Sequence, residues 1–179
     1  MRDIVLPEVK PALEWIGGRA VQKVSPQRKH ALAQTRFAMA LEAWARAGGR
    51  GTVGTEWEFR LKPAGEARRP LVPDVAFISF ERLPYEDEAA SDIPHVAPEV
   101  VVEVLSPNDR RSDIEEKIRV YLECGTAVMF LVDTESQTVT IRDASRTMGL
   151  SRGDILSHHA MPGFSLRASE LFDRISPRP

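Results

Sequence analysis

Three charged residues lie in or beside apolar segments that are expected to be buried, where an unpaired charge is energetically costly. Asp74 precedes the apolar segment VAFI, Glu103 lies within VVVEVL, and Lys117 lies in the amphipathic segment that follows. A carboxylate among apolar neighbours needs a partner. Two such carboxylates on adjacent strands repel each other unless a cation lies between them, and oxygen-only ligands suit Mg²⁺ or Mn²⁺. The pattern therefore predicts a divalent-metal site.

The elements that position these residues follow from hydrophobic periodicity. We predict one strand over residues 71–79, carrying Asp74, and a central strand over residues 100–105, carrying Glu103 and covered on both faces. Ser112 and Glu115 form a capping-box pattern that opens a helix, and Gly125 ends it. Lys117 lies one or two turns into this helix, beside its apolar stripe, so its long side chain can reach back to the strand end.

The remaining segments complete an α/β (α+β) pattern. We predict a hairpin over residues 13–24 with a Gly17-Gly18 turn, and a helix that opens at Ser25-Pro26 and ends at Gly48-Gly49. Further strands are expected over residues 55–61, 128–132 and 138–142, and a short helix over 168–172. Residues 81–94 have the composition of a surface loop. This order predicts a mixed sheet with a helix on each side, in a single domain spanning 1–179.

Composition narrows the function classes. The net charge is -2 and the isoelectric point about 6.1, which argues against a protein that coats nucleic acid through massed phosphate contacts. The single cysteine, Cys124, excludes an intramolecular disulfide and favours a reducing compartment. With no apolar leader and no stretch of membrane-spanning length, we expect a cytoplasmic protein without membrane contact.

Two segments carry a family resemblance: RPLVPDVAFIS, and PEVVVEVLSPNDRRSDIEEKIRVYLECGTAVMFLVD. They resemble the Uma-type restriction endonuclease family of the PD-(D/E)XK nuclease superfamily. The similarity includes the ALEWIGGRAV hairpin and SPQRKHA, and so covers residues 13–143. It implies a restriction-endonuclease-like core with a central four-stranded mixed sheet flanked by helices. It also implies Mg²⁺-dependent hydrolysis of DNA phosphodiester bonds.

The resemblance assigns roles residue by residue. Asp74 and Glu103 match the acids of the motif and, with the backbone carbonyl of Val104, would hold the metal. Leu105 stands where the superfamily pattern has its lysine, and Lys117 stands where this family places that cation. Lys117 would orient the attacking water or stabilise developing negative charge. Gly17 also departs from the family pattern, which has aspartate there.

Accessory residues are expected around this core. Glu14 could supply a third acid, and His30 could reach a phosphate or a water. Arg110 and Arg111, at the strand–helix joint, could bind phosphates of DNA. Double-strand cleavage by so small a site would favour a homodimer.

Other interpretations stay open. Asp74 could bridge to Arg69, Glu103 could belong to a buried salt bridge, and Lys117 could pair with Asp113 four residues earlier. The whole chain could be a binding module that keeps a nuclease fold without catalysis, which Leu105 favours, or an oligomeric structural domain.

Outside this set, the sequence indicates little chemistry. Glu56 and Glu58 are expected on a solvated strand face. His158-His159 lacks acid or cysteine partners at ligand spacing, which argues against a zinc site. Cys124 lacks a motif for a nucleophile.

Overall fold

A computed structural model describes residues 2–23, 25, 27–86 and 92–173. In chain order the elements are β1 (Leu13–Ile16), β2 (Arg19–Gln22), α1 (Arg28–Ala47), β3 (Gly51–Thr55), β4 (Phe59–Leu61), β5 (Arg69–Leu71), β6 (Val75–Ser79), β7 (Val100–Leu105), α2 (Arg111–Glu123), β8 (Val128–Asp133), β9 (Thr138–Arg142), β10 (Thr147–Leu150), β11 (Ile155–Leu156), β12 (Leu166–Arg167) and α3 (Ala168–Phe172). No helix among these residues is long and apolar enough to span a membrane.

The central sheet has six strands in the order β10-β9-β8-β7-β6-β3. Strands β7 and β8 are parallel, and the other neighbouring pairs are antiparallel. The predicted mixed sheet is therefore confirmed, with two more strands than the four that the resemblance implied. The predicted central position of β7 is also confirmed, since every residue from Val100 to Val104 is buried.

Each face of the sheet carries its own core. On one face, Phe37 of α1 packs against Phe130 of β8 with ring centroids 5.1 Å apart. On the other, Ile118 and Tyr121 of α2 pack against Met129. Because side chains alternate along a strand, Val102 and Val104 face α1, whereas the residue between them, Glu103, faces α2.

The predicted caps of both helices were wrong. Helix α1 begins at Arg28 after Gln27, so Ser25 is not its N-cap. Pro26 lies outside the described residues, as does Val24 at the end of the predicted hairpin. The capping box of Ser112 and Glu115 is absent as well: α2 begins at Arg111 and has no side-chain cap. The hairpin turn at Gly17-Gly18 is confirmed, with φ of 55° and 77°.

Two predicted strands are interrupted. Residues 55–61 were expected as one strand, but β3 ends at Thr55 and β4 starts at Phe59. Between them the backbone of Glu56 adopts φ 51°, which turns the chain. Residues 72–74 likewise separate β5 from β6. Strand β3 begins at Gly51, where any larger residue would clash with the Ile78 carbonyl oxygen.

Candidate functional site

Asp74 and Glu103 lie side by side at the α2 face of the sheet. Val75 pairs with Val102 in the antiparallel β6–β7 ladder, and one further step of that register brings Asp74 opposite Glu103. Asp74 therefore precedes β6 rather than lying inside a strand. Its Oδ2 accepts a hydrogen bond from the Val104 amide at 2.7 Å. Asp74 is 2% exposed and Glu103 5% exposed, so neither carboxylate is solvated like a surface acid.

Lys117 connects Glu103 to the N-terminal hairpin. Its Nζ lies 2.6 Å from Glu103 Oε1 and 3.0 Å from Glu14 Oε1. Glu14 Oε1 also accepts the Val72 amide at 2.8 Å, which fixes this carboxylate against the segment before Asp74. The alternative pairing of Lys117 with Asp113 is wrong, because Asp113 binds Arg19 at 2.6 Å instead.

A second lysine, Lys23, was not predicted. Its Nζ lies 2.8 Å from Asp74 Oδ1 and 2.9 Å from Glu56 Oε2, and it donates to the Val72 carbonyl at 2.9 Å. Glu56, expected on a solvated strand face, thus lies at the edge of the site because its left-handed backbone redirects the chain. No sequence signal marks Lys23, since a lysine just after a short hairpin strand is typical of a solvated surface.

Helix α1 supplies the last contacts to Asp74. His30 Nε2 lies 3.3 Å from Asp74 Oδ2. Gln34, one turn later, donates to the Asp74 carbonyl at 2.9 Å and to Glu56 at 3.1 Å. The structure therefore brings the predicted accessory residues, Glu14 and His30, to the same cleft as the main acids. Asp74 does not bridge to Arg69, which pairs with Glu66 and Glu116.

The cluster is short of positive charge. Three buried carboxylates, of Glu14, Asp74 and Glu103, and the exposed carboxylate of Glu56 face two ammonium groups, of Lys23 and Lys117. Burial raises the pKa of Glu103 to about 8, even though Lys117 favours its charged form. The charged form of Glu103 is therefore disfavoured unless a further cation lies beside it.

Asp74 and Lys117 are held in their charged forms. Burial alone would raise the pKa of Asp74, but the His30 hydrogen bond and the Lys23 charge outweigh it and hold that pKa well below its usual range. Burial would lower the pKa of Lys117, but Glu103, Glu14 and Asp74 outweigh it and raise that pKa. Asp74 is therefore an ionised oxygen donor and Lys117 a fixed cation.

These residues line a cleft of about 300 Å³ between the β1–β2 hairpin and the start of α2. Asp74, Glu103 and Val104 all border it, so their oxygens form a donor set of the kind that hard divalent cations take. The charge excess is a second reason why the site fits such a cation. Arg110 borders the cleft, whereas Arg111 is exposed at the first position of α2 and lies outside the cleft wall.

A separate cluster contradicts one expectation from the sequence. His158 does have an acid partner: its Nε2 lies 3.0 Å from Asp143 Oδ2, with His159 also nearby. His158 Nδ1 accepts the Ala160 amide at 3.2 Å, so both ring nitrogens are engaged. Asp143 also accepts from Ser145 and Arg146, and the His158 hydrogen bond holds its pKa below the usual range. These bonds explain the cluster as a structural support for the β9–β10 turn.

Comparisons with known proteins place these features in a family. A family model described as "Uma2: Putative restriction endonuclease" matches residues 5–169. The chain is also similar to a solved structure from Anabaena variabilis ATCC 29413, titled as a putative nuclease belonging to DUF820. That likeness has 26% sequence identity and a TM-score of 0.81, and it covers 93% of each chain. No curated protein matches. With 5–169 matched, the chain belongs to the Uma2 family of restriction endonuclease-like proteins.

Proposed function

We propose that this protein is a divalent-metal-dependent nuclease that hydrolyses phosphodiester bonds of nucleic acid, with DNA as the first substrate to test. The observation that carries the proposal is the convergence of Asp74 and Glu103 on one cleft, with Lys117 held 2.6 Å from Glu103. The family match supports the general activity. Metal dependence rests on the donor set and on the charge excess.

Asp74, Glu103 and the carbonyl of Val104 would hold Mg²⁺ or Mn²⁺. When bound, the ion would supply positive charge that acidifies an attacking water and offsets charge in the transition state. The protein's contribution is rigid placement: the Val104 amide and Lys23 fix both oxygens of Asp74. Preorganised donors of this kind need no rearrangement during the reaction.

Lys117 is the cation assigned to the reacting phosphate. Its ammonium is buried, its raised pKa favours the charged form, and both Glu14 and Glu103 contact it. It could orient the water or stabilise developing negative charge without acting as a metal ligand. Glu14 is then a positioning residue, because it acts through Lys117. Exposed Arg110, at the cleft edge, is placed to contact a neighbouring phosphate.

The test pairs binding with catalysis. Mg²⁺ or Mn²⁺ should raise the melting temperature of the wild type and should support cleavage of a supercoiled plasmid or a labelled oligonucleotide. Asp74→Asn should lose both effects. Glu115→Gln is the matched control and should keep both effects. Glu115 is an exposed acid of α2 whose one salt-bridge partner among the described residues is Arg142, at 3.4 Å. Wild-type protein that neither binds these metals nor cleaves any nucleic acid would refute the proposal.

A second candidate is a nuclease-fold binding module without catalysis. Two observations favour it: Leu105 stands at the expected lysine position, and both oxygens of Asp74 already have protein partners. Such a module has no reason to keep an affinity for Mg²⁺ or Mn²⁺. Calorimetric titration of the metals into the protein distinguishes the two, because only the nuclease requires saturable binding that Asp74→Asn removes.

A further inference from the structure

Another cavity adjoins the cleft that contains Asp74 and Glu103. This second cavity, of about 650 Å³, lies between the hairpin turn, the segment before β5 and the start of α2. Arg19, Arg110 and Asp113 border both cavities. These three residues therefore form a partition, with the buried acids on one side and the second cavity on the other.

The partition ties the two walls of the cleft together. Arg19 Nη2, from the hairpin, lies 2.6 Å from Asp113 Oδ2, from α2, and Arg19 also donates to the Ile16 carbonyl at 3.1 Å. A duplex would need both walls to stay apart in order to bring a backbone phosphate to the deeply buried Asp74. A single strand, with one backbone and unpaired bases, needs only a narrow path.

The charges along this path also suit few phosphates. Of the lysines and arginines lining the catalytic cleft, Lys23, Lys117 and Arg19 are paired with carboxylates, which leaves Arg110 as the one without a carboxylate partner among the described residues. Proteins that embrace a duplex neutralise many phosphates at once. Contact of Arg110 with about one phosphate of a single strand would give log K a slope of only about -0.7 against log salt.

An aromatic side chain completes the path. Trp15 is half-buried and lines the second cavity, as Arg19 and Arg110 also do. Aromatic faces bind unpaired bases by stacking, regardless of base identity. We infer that the substrate is single-stranded nucleic acid, which stacks a base on Trp15 and crosses the Arg19–Arg110–Asp113 partition into the catalytic cleft. This inference rests on the proposed function and names the substrate class of the same site.

The experiment measures binding and cleavage separately. Fluorescence anisotropy in Ca²⁺ compares wild type on a labelled single-stranded DNA, the same sequence as RNA, and the matched DNA duplex. Cleavage of the same molecules is followed in Mg²⁺ and Mn²⁺. Trp15→Ala should weaken single-strand binding at least about fivefold, and Trp15→Phe should restore most of it. Tyr85→Ala, which removes an aromatic side chain that is 78% exposed and outside both cavities, is the control and should bind normally.

Each outcome decides a different point. Single strands bound and cut in preference to the duplex, with the Trp15 dependence, support the inference, and the DNA and RNA arms assign the sugar. Arg110→Ala should also make the salt slope shallower by about 0.7. If the duplex is bound or cut at least as well as the single strand, the inferred single-strand path is wrong, whereas the proposed nuclease activity stands. If single strands bind in a Trp15-dependent way but are not cleaved in either metal, the proposed nuclease activity is refuted, whereas the single-strand binding path stands.

Discussion

Replacing Glu103 with glutamine tests whether this carboxylate awaits a cation or completes a stable ion-pair network. The substitution keeps the shape of the side chain and removes its charge. In the metal-free protein Glu103 is buried, in contact with Lys117 at 2.6 Å and within a cluster that has more carboxylates than ammonium groups. The charged form is therefore unfavourable, and the neutral variant should fold more stably at alkaline pH.

The magnitude follows from linkage. A folded-state pKa raised from 4.5 to about 8 corresponds to at most about 5 kcal/mol, at roughly 1.4 kcal/mol for each pH unit. The sign follows from the direction of the shift. The folded state binds the Glu103 proton more tightly than the unfolded state, so wild-type stability relative to the variant falls as pH rises from 4.5 and levels off above about 8.

Urea denaturation in EDTA, across this pH range, measures the difference. We expect Glu103→Gln to exceed the wild type by about 2–5 kcal/mol above pH 8, with the gap shrinking towards pH 4.5. Glu115→Gln, at an exposed position, should follow the wild type throughout. A variant less stable than the wild type at alkaline pH would refute the reasoning. It would mean that Glu103 and Lys117 form a net stabilising pair, as a structural domain requires.

Further substitutions test the lysines and the core. Lys117→Met should remove most cleavage yet leave calorimetric metal affinity nearly unchanged, and retained activity would rule out a catalytic role. In that background, Leu105→Lys should restore part of the plasmid cleavage, because alternation places residue 105 on the same strand face as Glu103; no recovery would count against a migrated lysine. Lys23→Met should weaken Mn²⁺-supported cleavage less than Lys117→Met does, because Lys23 contacts Asp74 and not Glu103. Phe130→Ala, at a fully buried ring, should cost about 3–5 kcal/mol in urea denaturation.

The central features of the site could be predicted from the sequence because they depend on local patterns. Buried apolar strands reveal an embedded charge, and helical spacing places Lys117 near the strand end. The pairing of β6 with β7 then brings Asp74 beside Glu103. Hydrophobic runs of this kind are the strongest signals that a single sequence offers. The central strand, the two major helices and the mixed sheet followed from the same signals.

What could not be predicted depends on backbone geometry and on long-range contacts. The left-handed conformation of Glu56 splits an apparently continuous alternating strand and brings its carboxylate to Lys23. Lys23 and Asp74 are far apart in the sequence and meet only because the hairpin folds over the segment before β6. Asp143 and His158 meet in the same way, across the β9–β10 turn. Spacing along the chain cannot reveal such partners.

The two lysines of the cluster contact different carboxylates. Lys23 contacts Asp74 and Glu56, and Lys117 contacts Glu103 and Glu14, so each ammonium serves two carboxylates. A network built only for stability would gain from equal numbers of acids and bases, because each unbalanced buried charge adds a desolvation cost. Here three buried carboxylates, of Glu14, Asp74 and Glu103, face two ammonium groups, and burial raises the pKa of Glu103. A bound divalent cation would supply positive charge to these buried acids, so the proposed metal site accounts for the arrangement better than a structural network does.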